Sequence, residues 1–280
     1  MKIRPVSLAL GAEVLGLRLD QPLHADDVCE LYDAWLRYQV LVFHDQDMSD
    51  EDQRRFTDYF GEAQDLTRTA SALRSAAPNV MYIGNVTIGD IRGDLPHGDM
   101  QFHTDGAYFE RPTKATVLYG IHTPTSGGDT LFSNGYKAFE SLPADLRRRI
   151  VGLSALNVYD YGSGGTARNL APSPDATRCV HPVVTVHPET RRSSLYVNRL
   201  MTLEIVGKER SESDPLLEIL FQATERPEFI YAHKWQPRDL VVWDNRCTFH
   251  ARTDFDPREK RALRRMTTKG ERPVGATATV

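Results

Sequence analysis

The chain has 280 residues, a length that fits one large domain or two small ones, and we expect one. Its 40% hydrophobic and 26% charged residues are typical of a globular protein and argue against disorder and against a membrane span. The formal net charge of −4 argues against nucleic acid as a partner. The cysteines, Cys29, Cys179 and Cys247, are too widely spaced for a thiolate zinc site and fit a reducing compartment, so we expect a cytoplasmic protein without a signal peptide.

The N-terminal part of the chain predicts alternating strands and helices. Apolar positions in 24–39 recur at helical spacing behind an acidic start, which suits the helix dipole. Ser49 is placed to cap a second helix, with Asp52 three residues later and Gly61 at its end. The predicted elements are, in chain order, a strand over 3–19, a helix over 24–39, a strand over 40–46, a helix over 48–62 and a strand over 80–86.

Strands dominate the rest of the chain. The predicted elements are strands over 114–124 and 129–134, a helix over 136–152 with a turn near Pro143, a hairpin from 180–188 and 193–198, a helix over 212–226, and strands within 229–255 and 260–270. The segments 87–102 and 156–178 are rich in glycine and polar residues and are expected to be loops. With no internal repeat and no βαβ rhythm, we expect a single domain over 1–280, mainly β with peripheral helices, as a β-sandwich or jelly roll.

The stretch GDMQFHTDGAYFERP, residues 98–112, places His103 and Asp105 two apart. On an extended segment such side chains point to the same face, so an imidazole and a carboxylate could bind one metal ion together. The alternative is a polar residue at a strand end, followed by the aspartate that starts the turn at Gly106. Because an H-x-D triplet often occurs by chance, the metal interpretation depends on a third ligand.

His250 is the candidate third ligand. It ends an apolar segment within DLVVWDNRCTFHARTDF, and a jelly roll can bring such a late strand beside an early one. A 2-His-1-carboxylate face leaves three adjacent positions open on Fe(II), enough for a bidentate 2-oxo acid and dioxygen. Zinc with three protein ligands and a water is the competing interpretation, and the triad alone does not decide between the metals.

Two arginines favour the iron interpretation. Arg261 and Arg265 lie eleven and fifteen residues after His250, and their separation of four places both on one side of a strand. A five-carbon dicarboxylate needs a bidentate, charge-assisted partner for its distal carboxylate, which guanidinium supplies better than ammonium. The alternative is a solvated basic face. The other basic residues nearby are Arg258, Lys260 and Arg264.

These residues belong to motifs by which the sequence resembles the taurine and 2,4-dichlorophenoxyacetate dioxygenases, non-haem Fe(II) enzymes that consume 2-oxoglutarate. The resemblance covers nearly the whole chain. The motifs are LGAEVLGLRL, VLVFHDQDMSDEDQRRFTDYFGE, FHTDGAYFERP, SGGDTLF, HPVVTVHPETRRSSLYVN and DLVVWDNRCTFHARTDFDPREKRALRRMTT. The fold that the resemblance implies is the double-stranded β-helix, a jelly roll, in agreement with the predicted strands.

The resemblance also implies roles for individual residues. Those that look like the iron ligands are His103, Asp105 and His250. Thr130 of GGDTLF and Arg261 look like the residues that hold the distal carboxylate of 2-oxoglutarate. Arg265 matches a position near the metal-bound end of the cosubstrate, where it can also meet an anionic group on the substrate.

Cofactors and reaction type follow from the same resemblance. The cofactors implied are Fe(II), 2-oxoglutarate and dioxygen, and the assembly implied is a homo-oligomer. Related halogenases lack the carboxylate ligand, so Asp105 favours hydroxylation over chlorination.

The substrate-binding residues are where the sequence departs from the family. Taurine enzymes carry a histidine shortly after the FGE-like motif and an asparagine four residues before the first iron ligand, where this chain has AQDLTRTAS and Asp99. An aspartate would repel a sulfonate in the taurine pose, so Arg68 or Arg199 would hold a different acid, or Asp99 would face solvent or bind an amino group. Each of these could also be an ordinary surface charge.

Three aromatic residues near the metal motif would wall an aromatic or aliphatic substrate, or be simple core: Phe102, Tyr108 and Phe109. The segments 87–102 and 156–178 are the expected active-site loops, the second a lid.

The sequence therefore predicts an Fe(II)- and 2-oxoglutarate-dependent dioxygenase. It would hydroxylate an unactivated C–H bond of a small organic acid (a sulfonate, an aryloxy acid or another carboxylate) or of an amino-acid-like molecule, with succinate and carbon dioxide as co-products. Related outcomes are C–O or C–S cleavage, or desaturation or another oxidative rearrangement in a biosynthetic pathway. A zinc hydrolase using the same triad would give Arg261 no role, and a metal-binding sensor would need neither Thr130 nor Arg261.

Overall fold

β-Strands make up most of the regular structure in the computed structural model, which describes residues 1–64, 80–95, 98–160 and 168–277. Within these ranges the α-helices are α1 (Ala25–Tyr38), α2 (Asp50–Asp58), α3 (Gly135–Glu140), α4 (Ala144–Ile150) and α5 (Arg210–Thr224). The strands are β1 (Lys2–Pro5), β2 (Ala12–Leu15), β3 (Val40–Phe43), β4 (Met81–Gly84), β5 (Thr87–Ile88), β6 (Ile91–Arg92), β7 (Met100–His103), β8 (Thr113–His122), β9 (Thr130–Asn134), β10 (Ser154–Tyr159), β11 (Thr177–Pro182), β12 (Val184–Val186), β13 (Ser193–Leu195), β14 (Thr202–Ile205), β15 (Ile230–His233), β16 (Leu240–Asp244), β17 (Thr248–Arg252) and β18 (Ala262–Lys269). None of these described helices has the length and hydropathy that a bilayer crossing requires.

Two sheets carry the core. The larger has the strand order β1-β2-β3-β16-β8-β18-β4, and the smaller has the order β15-β9-β17-β7. Strand β16 shows how they pack, because its side chains alternate between two apolar clusters. Leu240 and Val242 pack with α1 and α2, whereas Val241 and Trp243 pack towards Phe132 on the smaller sheet. The outer side of the smaller sheet, at Phe249, packs with α3 and α5, so helices cover both outer faces.

The strongest local signals in the sequence produce the expected elements. Ser49 accepts a hydrogen bond from the Asp52 backbone, and the Asp52 side chain accepts one from the Ser49 backbone, which makes the capping box that starts α2. Gln39, the C-cap of helix α1, has a left-handed backbone conformation, and β3 begins at the next residue. The predicted hairpin is present as β12 and β13, which pair antiparallel. The helix predicted over 136–152 is divided into α3 and α4, with Pro143 as the N-cap of α4.

Four predictions about the fold are wrong in part. The strand over 3–19 is two antiparallel strands, β1 and β2. The segment 87–102 contains the β5–β6 hairpin and most of β7, so it is not one loop. The segment 156–178 overlaps β10 at one end and β11 at the other. A βαβ unit is present, because β2 and β3 pair in parallel on either side of α1. Its strands are only four residues each, too short for a visible rhythm.

Candidate active site

His103, Asp105 and His250 come together as the sequence predicts. All are buried, and one potential ligand atom from each lies within 4.8 Å of the others. The cause is strand pairing, since β17 runs antiparallel to β7 with His250 directly opposite His103. The two imidazole rings are consequently 4.0 Å apart between centroids, and Trp243 packs 4.8 Å from the His250 ring.

A β-bulge decides which side chains of β7 face this cluster. His103 pairs with His250, but Met100, three residues earlier, pairs with Arg252, which is only two residues from His250. The extra residue in β7 therefore lets both Met100 and His103 line one cavity. Phe102 packs instead against the apolar cluster of α5, so its predicted role as a substrate wall is wrong.

The ionisation of the cluster suits a metal ion. Burial lowers the pKa of His103, and burial together with the neighbouring His103 lowers the pKa of His250, so both imidazoles are neutral near pH 7. His103 Nδ1 lies 3.0 Å from the Gln101 carbonyl oxygen, to which it donates, and Nε2 is left with its lone pair. Neutral imidazoles and an ionised carboxylate are the forms that bind metal.

Asp105 is held as a carboxylate by its surroundings. Burial alone would raise its pKa, but the Arg265 guanidinium, with Nη2 2.9 Å from Oδ2, brings the pKa well below its usual range. The Thr116 hydroxyl donates to the same oxygen at 2.6 Å. Arg265 thus lies at the metal end of the cavity, where the sequence placed it, and its Nη1 contacts Met81 Sδ at 3.6 Å.

A second cationic region lies in the same cavity. Arg261 is 2% exposed, and its Nε and Nη2 donate to the Gly128 carbonyl at 3.3 and 3.2 Å. Its Nη1 is buried without a hydrogen-bond partner among the described residues. Burial and the nearby Arg252 lower the pKa of Arg261, although Asp129 acts in the opposite direction. Within the described ranges no carboxylate forms an ion pair with this guanidinium. Thr130 lines the same space, and its hydroxyl oxygen accepts a hydrogen bond from Trp235 Nε1 at 2.9 Å.

Arg252 is a lining residue that the sequence argument missed. It lies on β17 two residues after His250. Side chains two apart on a strand point to the same face, so this spacing could have predicted that Arg252 shares the cavity. Its guanidinium donates to the carbonyl oxygens of Leu95 and Gly98, and so fastens the segment before β7 to β17.

Arg264 points to the opposite side of β18, where it is buried against Gln53 and Asp50 instead of forming a solvated basic face.

The cavity has a volume of about 280 Å³ and joins these groups. Its apolar and aromatic lining residues are Met81, Ile83, Leu95, Met100, Tyr108, Leu118, Tyr159, Met201, Trp243, Ala251 and Leu263. Its polar lining residues are Asp94, His103, Asp105, Thr130, His250, Arg252, Arg261 and Arg265. Mostly apolar walls with a few converging polar groups are typical of a small-molecule site.

The predicted substrate residues have different outcomes. Tyr108 lines the cavity, with its ring 4.5 Å from those of Tyr159 and Phe109. Asp99 is exposed, does not line the cavity and accepts a hydrogen bond from the Asp254 backbone. Arg199 also lies outside the lining, paired with carboxylates of α5 and the residue after it. Arg68 lies outside the described residues.

A second buried group of potential ligands has a structural role. His187, Asp244 and Cys247 lie close enough to hold a metal ion. Both nitrogens of His187 are already bonded, because Nε2 donates to Asp244 and Nδ1 accepts from the backbone of Glu189 and Thr190. Arg246 pairs with the same aspartate, so protein groups satisfy this cluster.

Comparisons with known proteins agree with this site. A family model described as "Taurine catabolism dioxygenase TauD, TfdA family" matches residues 2–267. Pentalenolactone F synthase of Streptomyces avermitilis is 33% identical, over 95% of this chain and 93% of its own. The (S)-phenoxypropionate/alpha-ketoglutarate-dioxygenase of Sphingobium herbicidovorans is 31% identical, over 99% of this chain and 97% of its own. The crystal structure of AAD-2 in complex with Mn(II) and N-oxalylglycine superposes with a TM-score of 0.83 at 28% identity, over 98% of this chain and 99% of that one.

Proposed function

Because the chain belongs to the TauD/TfdA dioxygenase family and is an Fe(II)- and 2-oxoglutarate-dependent oxidoreductase, we propose that it hydroxylates an unactivated C–H bond of a small organic acid or an amino-acid-like molecule. Succinate and carbon dioxide are the co-products. The observation that carries this proposal is that one cavity is lined both by a His–Asp–His cluster and by an arginine with a buried N–H group that has no partner among the described residues.

The donor set fits Fe(II). His103 Nε2, His250 and the Asp105 carboxylate would hold the metal, and their ionisation leaves lone pairs available without loss of a proton. When bound, Fe(II) would supply the centre at which dioxygen, the oxidant, attacks a C–H bond, with 2-oxoglutarate as the co-reductant that becomes succinate and carbon dioxide. The protein orients these ligands through the Gln101 carbonyl and the Thr116 hydroxyl.

The arginine end fits the distal carboxylate of 2-oxoglutarate. Arg261 Nη1 and the Thr130 hydroxyl would donate to its oxygens, and the anion would supply the charge that the buried guanidinium lacks. Arg265, beside Asp105, would face the carboxylate at the other end of the cosubstrate. A zinc hydrolase would leave Thr130 and Arg261 without a purpose.

The remaining apolar part of the cavity would take the substrate. Tyr108 and Tyr159 pack together there, and methionine side chains such as Met100 and Met201 adapt to irregular apolar shapes. We further propose that the described parts of 87–102 and 156–178 border the bound substrate, which is supported by the lining residues Asp94, Leu95, Met100 and Tyr159. Residues 96–97 and 161–167 of these segments lie outside the described residues. An acid with an aryl or alkyl body fits these walls better than a compact, fully charged molecule.

We propose the double-stranded β-helix as the architecture, in one domain over 1–280. The support is that both facing sheets contribute to one cavity: Leu118 and Leu263 come from the larger sheet, Thr130 and His250 from the smaller. In this architecture the His–Asp–His cluster would lie between the two sheets.

A substrate panel tests the proposal. Fe(II)-loaded protein receives 2-oxoglutarate and oxygen with sulfonates, alkyl sulfates, aryloxy acids or amino acids, and succinate and the oxidised product are measured. We expect one class to raise succinate release in the wild type and not in His103→Ala. Succinate release that His103→Ala retains, or that no class of substrate stimulates, would contradict the proposal.

A further inference from the structure

We propose that Trp235 is a positioning residue for 2-oxoglutarate, because its indole N–H sets the direction in which the Thr130 hydroxyl donates. The inference rests on the proposed role of Thr130 and Arg261 as the grip on the distal carboxylate. Trp235 belongs to none of the motifs that identify the site, and its side chain does not line the cavity.

Hydrogen-bond chemistry fixes the polarity of the Trp235–Thr130 contact. Trp235 Nε1 and Thr130 Oγ1 are 2.9 Å apart, and both side chains are buried. An indole nitrogen can only donate, so the threonine oxygen must accept. The hydroxyl proton of Thr130 is then directed away from Trp235, and no acceptor for it is present among the described residues.

Thr130 and Arg261 therefore line one cavity, and each has a donor without an acceptor in the part of the chain that the structure describes. The Nη1 group of Arg261 is buried and unpaired, and the Thr130 hydroxyl retains its proton. A carboxylate offers two oxygens and accepts from both at once. The hydrogen bond from Trp235 also polarises the hydroxyl, which strengthens the bond that it donates onward.

The neighbours of Trp235 hold its indole in the position from which it donates to Thr130. Its ring stands perpendicular to His233, with centroids 4.7 Å apart and an interplanar angle of 90°. His233 is itself buried, and its Nδ1 lies at hydrogen-bond distance, 3.2 Å, from the Tyr231 hydroxyl. On another side Gly120 leaves room for the ring, since a Cβ there would lie 3.4 Å from Trp235 Cε3 and 3.0 Å from the Gln236 carbonyl. A fixed donor keeps the Thr130 hydroxyl in one orientation before the ligand arrives.

Calorimetry on Mn(II)-loaded protein tests the inference without turnover. Trp235→Phe removes the N–H and keeps an aromatic ring, and we expect a dissociation constant for 2-oxoglutarate about 3- to 10-fold higher than that of the wild type. The dissociation constant for 2-oxopentanoate, which has the same chain length and no distal carboxylate, should not change. In a Thr130→Val background, Trp235→Phe should add less than about 2-fold, because the two residues act through one hydrogen bond.

The matched control is Trp35→Phe. Trp35 is also buried, but it lies on α1 in another apolar cluster, and its indole nitrogen has no hydrogen-bond partner among the described residues. We expect its affinity for 2-oxoglutarate to equal that of the wild type. Trp235→Met, which fills the space with a flexible apolar chain, replaces Trp235→Phe if that variant does not fold.

The outcomes separate this inference from the proposed function. If 2-oxoglutarate does not bind the Mn(II)-loaded wild type, the proposed function fails. If it binds but Trp235→Phe has no effect, or weakens 2-oxopentanoate equally, or adds its full effect to Thr130→Val, the positioning role of Trp235 is wrong while the proposed function stands.

Discussion

Thr116 Oγ1 donates a hydrogen bond of 2.6 Å to Asp105 Oδ2. The direction of this bond is fixed, because Asn245 Nδ2 donates to the same hydroxyl at 2.9 Å. Asn245 is oriented in turn by Trp243 Nε1, which donates to its Oδ1 at 3.0 Å. The WDN sequence therefore sets the position of a carboxylate that lies far from it in the chain.

Thr116→Val removes the hydroxyl and nearly preserves the volume. We expect Mn(II) to bind about 10-fold more weakly, because the carboxylate loses an orienting donor, and the free energy of unfolding to fall by about 1–3 kcal/mol, because Asn245 loses its acceptor. Calorimetric metal titration and urea unfolding measure the two effects. Thr116→Ser, which keeps the hydroxyl, should restore most of the metal affinity. Equal metal affinity in Thr116→Val and the wild type would show that the hydroxyl does not orient Asp105.

Arg261→Met tests the charge at the other end of the cavity. We expect the affinity for 2-oxoglutarate to fall about 100-fold, because a charge-assisted pair with the distal carboxylate is lost, while 2-oxopentanoate binds as it does to the wild type. The ligand-free variant should be at least as stable as the wild type, because a buried cation that forms no ion pair with any described residue is removed. Thermal unfolding with and without each ligand measures both effects. An equal loss of affinity for the two ligands would contradict the assignment.

His44 should make stability depend on pH. Its Nδ1 lies 2.6 Å from Asp239 Oδ1, and donation to this carboxylate raises the pKa of His44. Glu13 raises it further, and Arg4 opposes the shift. A folded pKa above the unfolded value of about 6.5 gives stability that is fully present below pH ~6.5 and is lost as pH rises through the folded pKa. The stability difference between the wild type and His44→Gln should therefore shrink from pH 6 to pH 9, as followed by thermal unfolding.

The matched control is His122→Gln, at the exposed end of β8. Because His122 forms no ion pair within the described ranges, this variant shows what the loss of a histidine alone does to stability. A His44→Gln difference that grows with pH would reverse the sign of the linkage and contradict the assignment.

Arg199 is predicted to support the fold and not to bind substrate. Its guanidinium pairs with Glu218 at 2.9 Å and with Glu225 at 2.7 Å, which ties the loop before β14 to α5. Arg199→Met should lower the free energy of unfolding by about 0.5–1 kcal/mol and leave the KM of the substrate unchanged. Denaturant unfolding and steady-state kinetics measure these quantities. A raised KM with unchanged stability would restore the role that the sequence suggested.

The sequence allowed the metal cluster to be predicted because its ligands lie in short, recognisable motifs. His103 and Asp105 are two residues apart, and Arg261 and Arg265 follow His250 at a spacing that a strand converts into one face. Helix α2 was predictable for a similar reason, since its capping box is local.

The rest of the site depends on tertiary structure. The bulge in β7 brings Met100 into the cavity together with His103, and no local pattern encodes it. Arg199 has its acidic partners 19 and 26 residues later, so its pairing depends on where α5 packs. Trp235 is 105 residues from Thr130 and is brought to it by the pairing of β15 with β9. Sequence spacing alone does not show such contacts.

In the function that we propose, His103, Asp105 and His250 hold Fe(II) in one cavity with the 2-oxoglutarate grip of Thr130 and Arg261. The most direct measurement is the visible absorption of the anaerobic Fe(II)-loaded protein as 2-oxoglutarate is added, in the wild type, His250→Ala and Arg261→Met. We expect a charge-transfer band in the wild type, no band in His250→Ala, and in Arg261→Met a band that requires about 100-fold more 2-oxoglutarate. Absence of the band in the wild type, or an identical titration in His250→Ala, would contradict the account.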